Sequence, residues 1–178
     1  SGDETSPADK SAIARNAAEA RWSGGATLPR AVYGSNDKPL RIGDVELPCY
    51  VLDDERRVLT AASVQSAMAM AQGGSVVKGM SRLALFISGK IISPYISNEL
   101  RDRIQNPILF RTPANGKAYG YDAEVLEELC EAILAARQDG VLQAQQKPIA
   151  RQAEILIRGF ARVGIVAQVD EATGYERV

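Results

Sequence analysis

The sequence predicts an α+β fold: a small antiparallel sheet built from hairpins with packed helices, followed by a C-terminal helical hairpin. Three observations carry this reading. Between Leu28 and Thr60, short apolar runs alternate with turn residues and no helical period appears. Residues 108–121 reverse about Asn115-Gly116, a pair suited to the positive φ angles of a tight turn. Beyond Asp122, apolar residues recur every three to four positions in two long stretches joined by roughly ten residues, the pattern of two helices packed as a hairpin.

Taken in order, residues 1–6 are polar and expected to be disordered, and residues 7–22 read as an alanine-rich helix. Ser6 is its N-cap, Pro7 its first position and Ser23-Gly24-Gly25 its end. Short strands follow at 31–33, 40–42 and 45–47, separated by the turn signals at 34–37 and at Gly43-Asp44. Residues 49–52 and 57–59 flank Asp53-Asp54-Glu55-Arg56 as a hairpin, with Pro48 marking a sheet edge or bulge. Thr60 can cap a helix through Ala71, closed by Gly73-Gly74. The run Leu83-Ala84-Leu85-Phe86-Ile87 suits a strand or a buried helix, and periodicity leaves both open. Ser97 caps a short helix over 98–105, which Asn106-Pro107 stops. Asp122 is placed as the cap of a helix with Val125, Leu126, Leu129, Cys130, Ile133 and Leu134 on its apolar face. The last helix is expected from Pro148 to Val163, with Ile149, Ala153, Leu156, Ile157, Phe160 and Val163 inward. The chain thus divides into a tail and helix (1–25), an α+β module (26–121) and a helical hairpin (122–178) expected to mediate oligomerisation.

Composition removes whole classes of chemistry. The 178 residues contain no histidine, which excludes Ser-His-Asp and Cys-His hydrolases, imidazole-ligated zinc and two-histidine iron sites. Cys49 and Cys130 are too far apart in sequence for a Cys-x-x-Cys pair, and their apolar surroundings suggest small buried hydrophobes. Asp53-Asp54-Glu55 lacks the calcium-loop spacing, and Gly73-Gly74 and Gly79 match no phosphate-binding loop. Residues 170–175 gather two carboxylates, a hydroxyl and a phenol without a base-nucleophile partner, so they read as a helix-ending loop or an interface. No catalytic residue, metal or cofactor is therefore expected. The chain has no apolar run of 18 residues, and no membrane partner and a cytoplasmic location are expected.

Charge is divided along the chain. A formal net charge of -1 conceals eleven cations against eight anions over 36–120 and six against ten over 121–178. The excess is sharpest where Lys78, Arg82, Lys90, Arg101, Arg103, Arg111 and Lys117 face only Glu99 and Asp102. Such a cluster beside a small sheet could hold phosphates, although a solvated face explains it as well. The final helix carries Arg151, Arg158 and Arg162 on one face, with Glu154 four residues before Arg158, and ion pairing with the acidic preceding helix accounts for them equally. The dimer interface is expected to comprise Leu126, Leu129, Ile133, Leu156 and Phe160 with Arg158 and Arg162.

Three stretches, LRIGDVELPCYVLDDERRVLT, PILFRTPANGKAYGYDAEVLEELCEAILAARQDGVL and AEILIRGFARVGIVAQVDEATGY, resemble phage and mobile-element proteins that carry the P-sixty-three-C domain. Similar VDEATGY endings occur in phage antirepressor-like proteins. The hairpin and helix over 49–71 are also similar in outline to the small α+β DNA-binding modules of Bro-type phage regulators. The resemblance implies a phage-type regulatory protein and carries over no catalytic residues; together with the basic central segment it gives the expectation of a non-enzymatic regulator that binds DNA through that segment. The wide apolar stripes of the last two helices give the expectation of a homodimer or higher oligomer, and a phage or host regulatory protein is expected as a further partner. The alternative is an antirepressor-like protein-interaction or assembly module that does not contact nucleic acid.

Overall fold

The structure, a computed structural model, describes residues 28–34, 38–70 and 81–175. Its strands are β1 (Ala31–Tyr33), β2 (Leu40–Ile42), β3 (Val45–Leu47), β4 (Cys49–Leu52), β5 (Arg57–Thr60), β6 (Ile108–Arg111) and β7 (Lys117–Asp122). The helices are α1 (Ala61–Ala67), α2 (Arg82–Ile87), α3 (Asn98–Gln105), α4 (Ala123–Gln138) and α5 (Lys147–Thr173). The α+β reading holds.

Five strands form one sheet in the order β1-β4-β5-β7-β6, every neighbouring pair antiparallel. In such a sheet the two outermost strands run in the same direction, and here they meet. Arg30 forms a parallel bridge with Arg111, and the Arg111 N–H donates to Pro29 O at 2.8 Å. The sheet therefore curls until its edges touch, which covers backbone groups that an open sheet would leave unpaired. Strands β2 and β3 form a separate hairpin turned by Gly43 at φ 60°.

Side chains alternate across each strand. Ala31, Tyr50, Leu52, Val58 and Phe110 point inside the curled sheet, with Ile108 and Ala118 against them. The Tyr50 and Phe110 rings meet there in a tilted contact, 5.7 Å between centroids. Leu59 and Tyr121 belong to the other face and join the main core under the helices. That core takes Leu83, Ala84 and Ile87 from α2, Leu126, Leu129, Cys130 and Ile133 from α4, Ala150, Ala153 and Leu156 from α5, and Ile42 and Leu47 from the β2–β3 hairpin. One core thus spans residues on both sides of position 122.

Three helices begin at side-chain caps, those at Thr60 and Ser97 as expected and that at Ser81 found only in the structure. Thr60, Ser81 and Ser97 accept hydrogen bonds through their side chains from the backbone N–H groups of Ser63, Ala84 and Leu100, at 3.2, 3.1 and 3.0 Å. Asp122 differs: it ends β7 and makes no side-chain cap bond to α4. Residues 83–87 are helical, and the burial of Leu83, Ala84 and Ile87 at helical spacing supplies the reason. Helix α1 stops at Ala67, short of the expected Ala71, with Ala69 at φ 60° breaking the backbone path. Helix α5 runs ten residues past the expected Val163, to a left-handed Gly174, so residues 170–173 are its last turn and not a loop. The expected helix over 7–22, the turn residues Ser35, Asn36 and Asp37, and Gly73-Gly74 lie outside the described residues.

Candidate nucleic-acid interface

The fold separates the seven cations singled out in the sequence. Lys78 lies outside the described residues. Arg101 fastens α3 to the turn before it, its guanidinium donating to Ser93 O at 3.1 Å, Ser93 Oγ at 3.2 Å and Ile96 O at 3.3 Å. Arg103 pairs with Glu128 at 3.2 Å and Glu99 at 3.5 Å, linking α3 to α4. Arg82 is half-buried, with its Nε enclosed and without a hydrogen-bond partner among the described residues. Lys90 is exposed in the turn after α2. Arg111 and Lys117 remain, directly opposite one another on β6 and β7.

A different cation joins them. Arg30 is bridged to Arg111 across the seam, so Arg30, Arg111 and Lys117 occupy one level of three adjacent strands. Directly opposed side chains stand about 5 Å apart at Cβ. All three point outward, because each is the chain neighbour of an interior residue: Ala31, Phe110 and Ala118 respectively. Arg30 and Lys117 are exposed; Arg111 is half-buried and donates to Asn115 O at 3.2 Å at the hairpin tip. Asp53 meets Arg30 through the backbone, its carboxylate accepting from the Arg30 N–H at 3.3 Å. Among the described residues no carboxylate lies within ion-pair distance of the three cationic side chains. Like charges placed opposite each other in a ladder destabilise the sheet, so stability does not account for this row.

Two tyrosines flank it. Tyr119 lies two residues from Lys117 on the same outward face, opposite Leu109, and is 54% exposed. Tyr33 lies three residues beyond Arg30 in the other direction, opposite Val51, and is 71% exposed. An irregularity in β1 between Ala31 and Tyr33 leaves both Val32 and Tyr33 exposed. Arg30, Tyr33 and Tyr119 are not among the residues that sequence reasoning picks out. The alternation Lys117-Ala118-Tyr119 could have found Tyr119, whereas nothing local marks Arg30 as a neighbour of Arg111.

The expected interface residues have other surroundings. Leu126, Leu129, Ile133 and Leu156 are fully buried against each other's helices within one chain, and Phe160 is half-buried against the same core. Arg158 pairs with Glu154, which also accepts from Arg137 of α4 at 2.8 Å. The Arg137 hydrogen bond, together with the charges of Arg158 and Arg137, holds the Glu154 carboxyl below its ordinary range. Arg151 and Arg162 are exposed. Past Phe160, α5 leaves the core, so Val163 is exposed and not inward as expected, and Ile165, Val166 and Val169 are exposed with it.

The thiol of Cys130 is fully buried 3.7 Å from Met68 Sδ, and burial pushes its pKa up to about 12, so it is inert as a nucleophile. Cys49 is half-buried. Among the described residues no group of three or more acidic or cysteine side chains could hold a metal ion, and no helix is long and apolar enough to cross a membrane. Set against protein-family models, curated proteins and solved structures, the chain matches none.

Proposed function

We propose that the protein is a non-enzymatic regulator of the phage type that binds nucleic acid through the Arg30–Arg111–Lys117 row. The observation that carries this reading is three outward cations at one level of the sheet with no acidic partner among the described residues. Cations held this way by the backbone are positioned for phosphates before the ligand arrives. Each neutralised phosphate releases counterions, so a three-contact site gives a slope of log K against log salt of about -2 to -3. Fluorescence anisotropy with labelled DNA tests it. Arg30→Glu, Arg111→Glu and Lys117→Glu together are expected to weaken binding at low salt by about 100-fold or more and to flatten that slope. Exchange of Lys90, which lies in the turn after α2 and not on the strands of the row, is expected to leave binding nearly unchanged. Triple-variant binding equal to wild type overturns the proposal.

A second reading, self-assembly, is favoured by the apolar residues on the part of α5 that leaves the core. Arg162 and Asp170 are each four residues from Val166, so an antiparallel pair of these segments centred on Val166 sets each arginine level with the other copy's aspartate. Sedimentation analysis is expected to show a concentration-dependent dimer that Val166→Glu with Val169→Glu converts to monomer. A wild-type protein that stays monomeric at high concentration rules this reading out.

A further inference from the structure

Resting on the proposed nucleic-acid reading, we infer that the seam takes a single-stranded polynucleotide, its phosphates along Arg30, Arg111 and Lys117 and its bases stacked on Tyr119 and Tyr33. The cations lie on the wall of the curled sheet, with β6 held between β7 and the residues around Arg30, and not on a projecting ribbon. The part of the β6–β7 hairpin that does project, Pro113, Ala114, Asn115 and Gly116, carries no charged side chain. A wall of this kind can touch the phosphates of a duplex but cannot follow its base edges into the major groove, which admits a helix or a two-stranded ribbon.

The tyrosines select further. In a duplex the faces of the bases are stacked on one another and closed to a protein ring, whereas in a single strand they are open. Tyr119 lies about 7 Å below the cation row, two residues along β7, and Tyr33 a similar height above it, because the irregularity in β1 sets Tyr33 level with Val51, two residues from Asp53 beside Arg30. Together with the row they form a diagonal of ring, cations and ring that matches a few successive nucleotides. Leu109 opposite Tyr119 and Val51 opposite Tyr33 each give the ring an apolar neighbour on the sheet. Both rings remain more than half exposed, and neither phenol has a hydrogen-bond partner among the described residues. Stacking reads the face common to all bases, so this site discriminates strand form more than sequence.

The experiment measures anisotropy of labelled oligo(dT), oligo(U) and a duplex of equal length. The single strands are expected to bind at least ten-fold more tightly than the duplex. Tyr33→Ala with Tyr119→Ala is expected to weaken single-strand binding by about ten-fold or more, with the salt slope and the duplex affinity unchanged. Tyr33→Phe with Tyr119→Phe is expected to retain tight binding, since the ring and not the hydroxyl does the stacking. Preference between oligo(dT) and oligo(U) separates a DNA from an RNA ligand. Duplex binding as tight as single-strand binding, or an alanine pair equal to wild type, overturns the inference while leaving nucleic-acid binding intact. Absence of binding to all three probes overturns both.

Discussion

Gly120→Val is expected to destabilise the protein by about 3 kcal/mol, a large fraction of the stability of a small domain. Gly120 sits on β7 between Thr60 of β5 and Ile108 of β6 and faces the interior of the curled sheet. A Cβ there would stand 2.7 Å from Leu59 O and 3.0 Å from Phe110 Cε1. The first neighbour is backbone in the central strand and cannot give way without breaking the β5–β7 ladder. The second belongs to a fully buried ring already packed on Tyr50. Valine places two further methyl groups in the same space. Gly120→Ala is expected to be milder, about 2 kcal/mol, because its single carbon still meets Leu59 O but adds no further methyl groups against the Phe110 ring. Urea denaturation checks both: the valine midpoint should fall well below wild type and the alanine midpoint in between. A valine variant with the wild-type midpoint would mean that the interior behind Phe110 is roomier than these distances imply.

Elements whose signals are local are legible in the sequence. The hairpins at Asp53–Arg56 and Asn115-Gly116 announce themselves by turn residues between alternating strands, and Thr60 and Ser97 announce helix starts. What depends on distant partners is not legible there. An apolar stripe on a helix shows that something covers it but not what. Leu126, Leu129, Ile133 and Leu156 read equally well as a dimer face and as the intramolecular core they form here. The residues of α5 beyond Val163 keep the helical period but have no described neighbour to bury them, so their pattern is too weak to extend the helix. Counting cations between 78 and 117 locates charge without assigning it. Arg101 and Arg103 have the same residue type as Arg111, yet their neighbours Ser93 and Glu128 tie them into the fold. The Arg30–Arg111 bridge closes the sheet between residues 81 positions apart in the chain, and parallel pairing at that separation leaves no periodic trace.

Gly159→Ala is the second substitution with a large expected effect, and its sign runs against helix propensity. In an exposed helix interior this exchange stabilises by about 1 kcal/mol. In α5, however, a Cβ on residue 159 would overlap Ile42 Cγ2 and stand 3.4 Å from Ile42 Cβ. Ile42 is buried, its β-branch fixes its rotamer, and it belongs to the β2–β3 hairpin, which docks on the helices without joining the main sheet. The clash therefore pushes the hairpin away from α5, and the net cost is expected to be about 1–3 kcal/mol. Ile42→Ala alone removes buried apolar volume and is expected to cost about 2–5 kcal/mol. In the Ile42→Ala background the obstacle at residue 159 is gone, so adding Gly159→Ala should restore helix propensity and fill part of the cavity. The double variant is then more stable than Ile42→Ala alone, with a coupling of about 2 kcal/mol across the cycle. Urea titration of the four proteins measures it, and additive effects would show that α5 and β2 are not in close contact. The same pair bears on assembly, because Gly159 is adjacent to Phe160, after which α5 leaves the core. A helix held by Ile42 at that point presents Val163, Val166 and Val169 in one fixed direction. Loosening the contact should weaken self-association while leaving the Arg30–Arg111–Lys117 row, on the other sheet, unaffected.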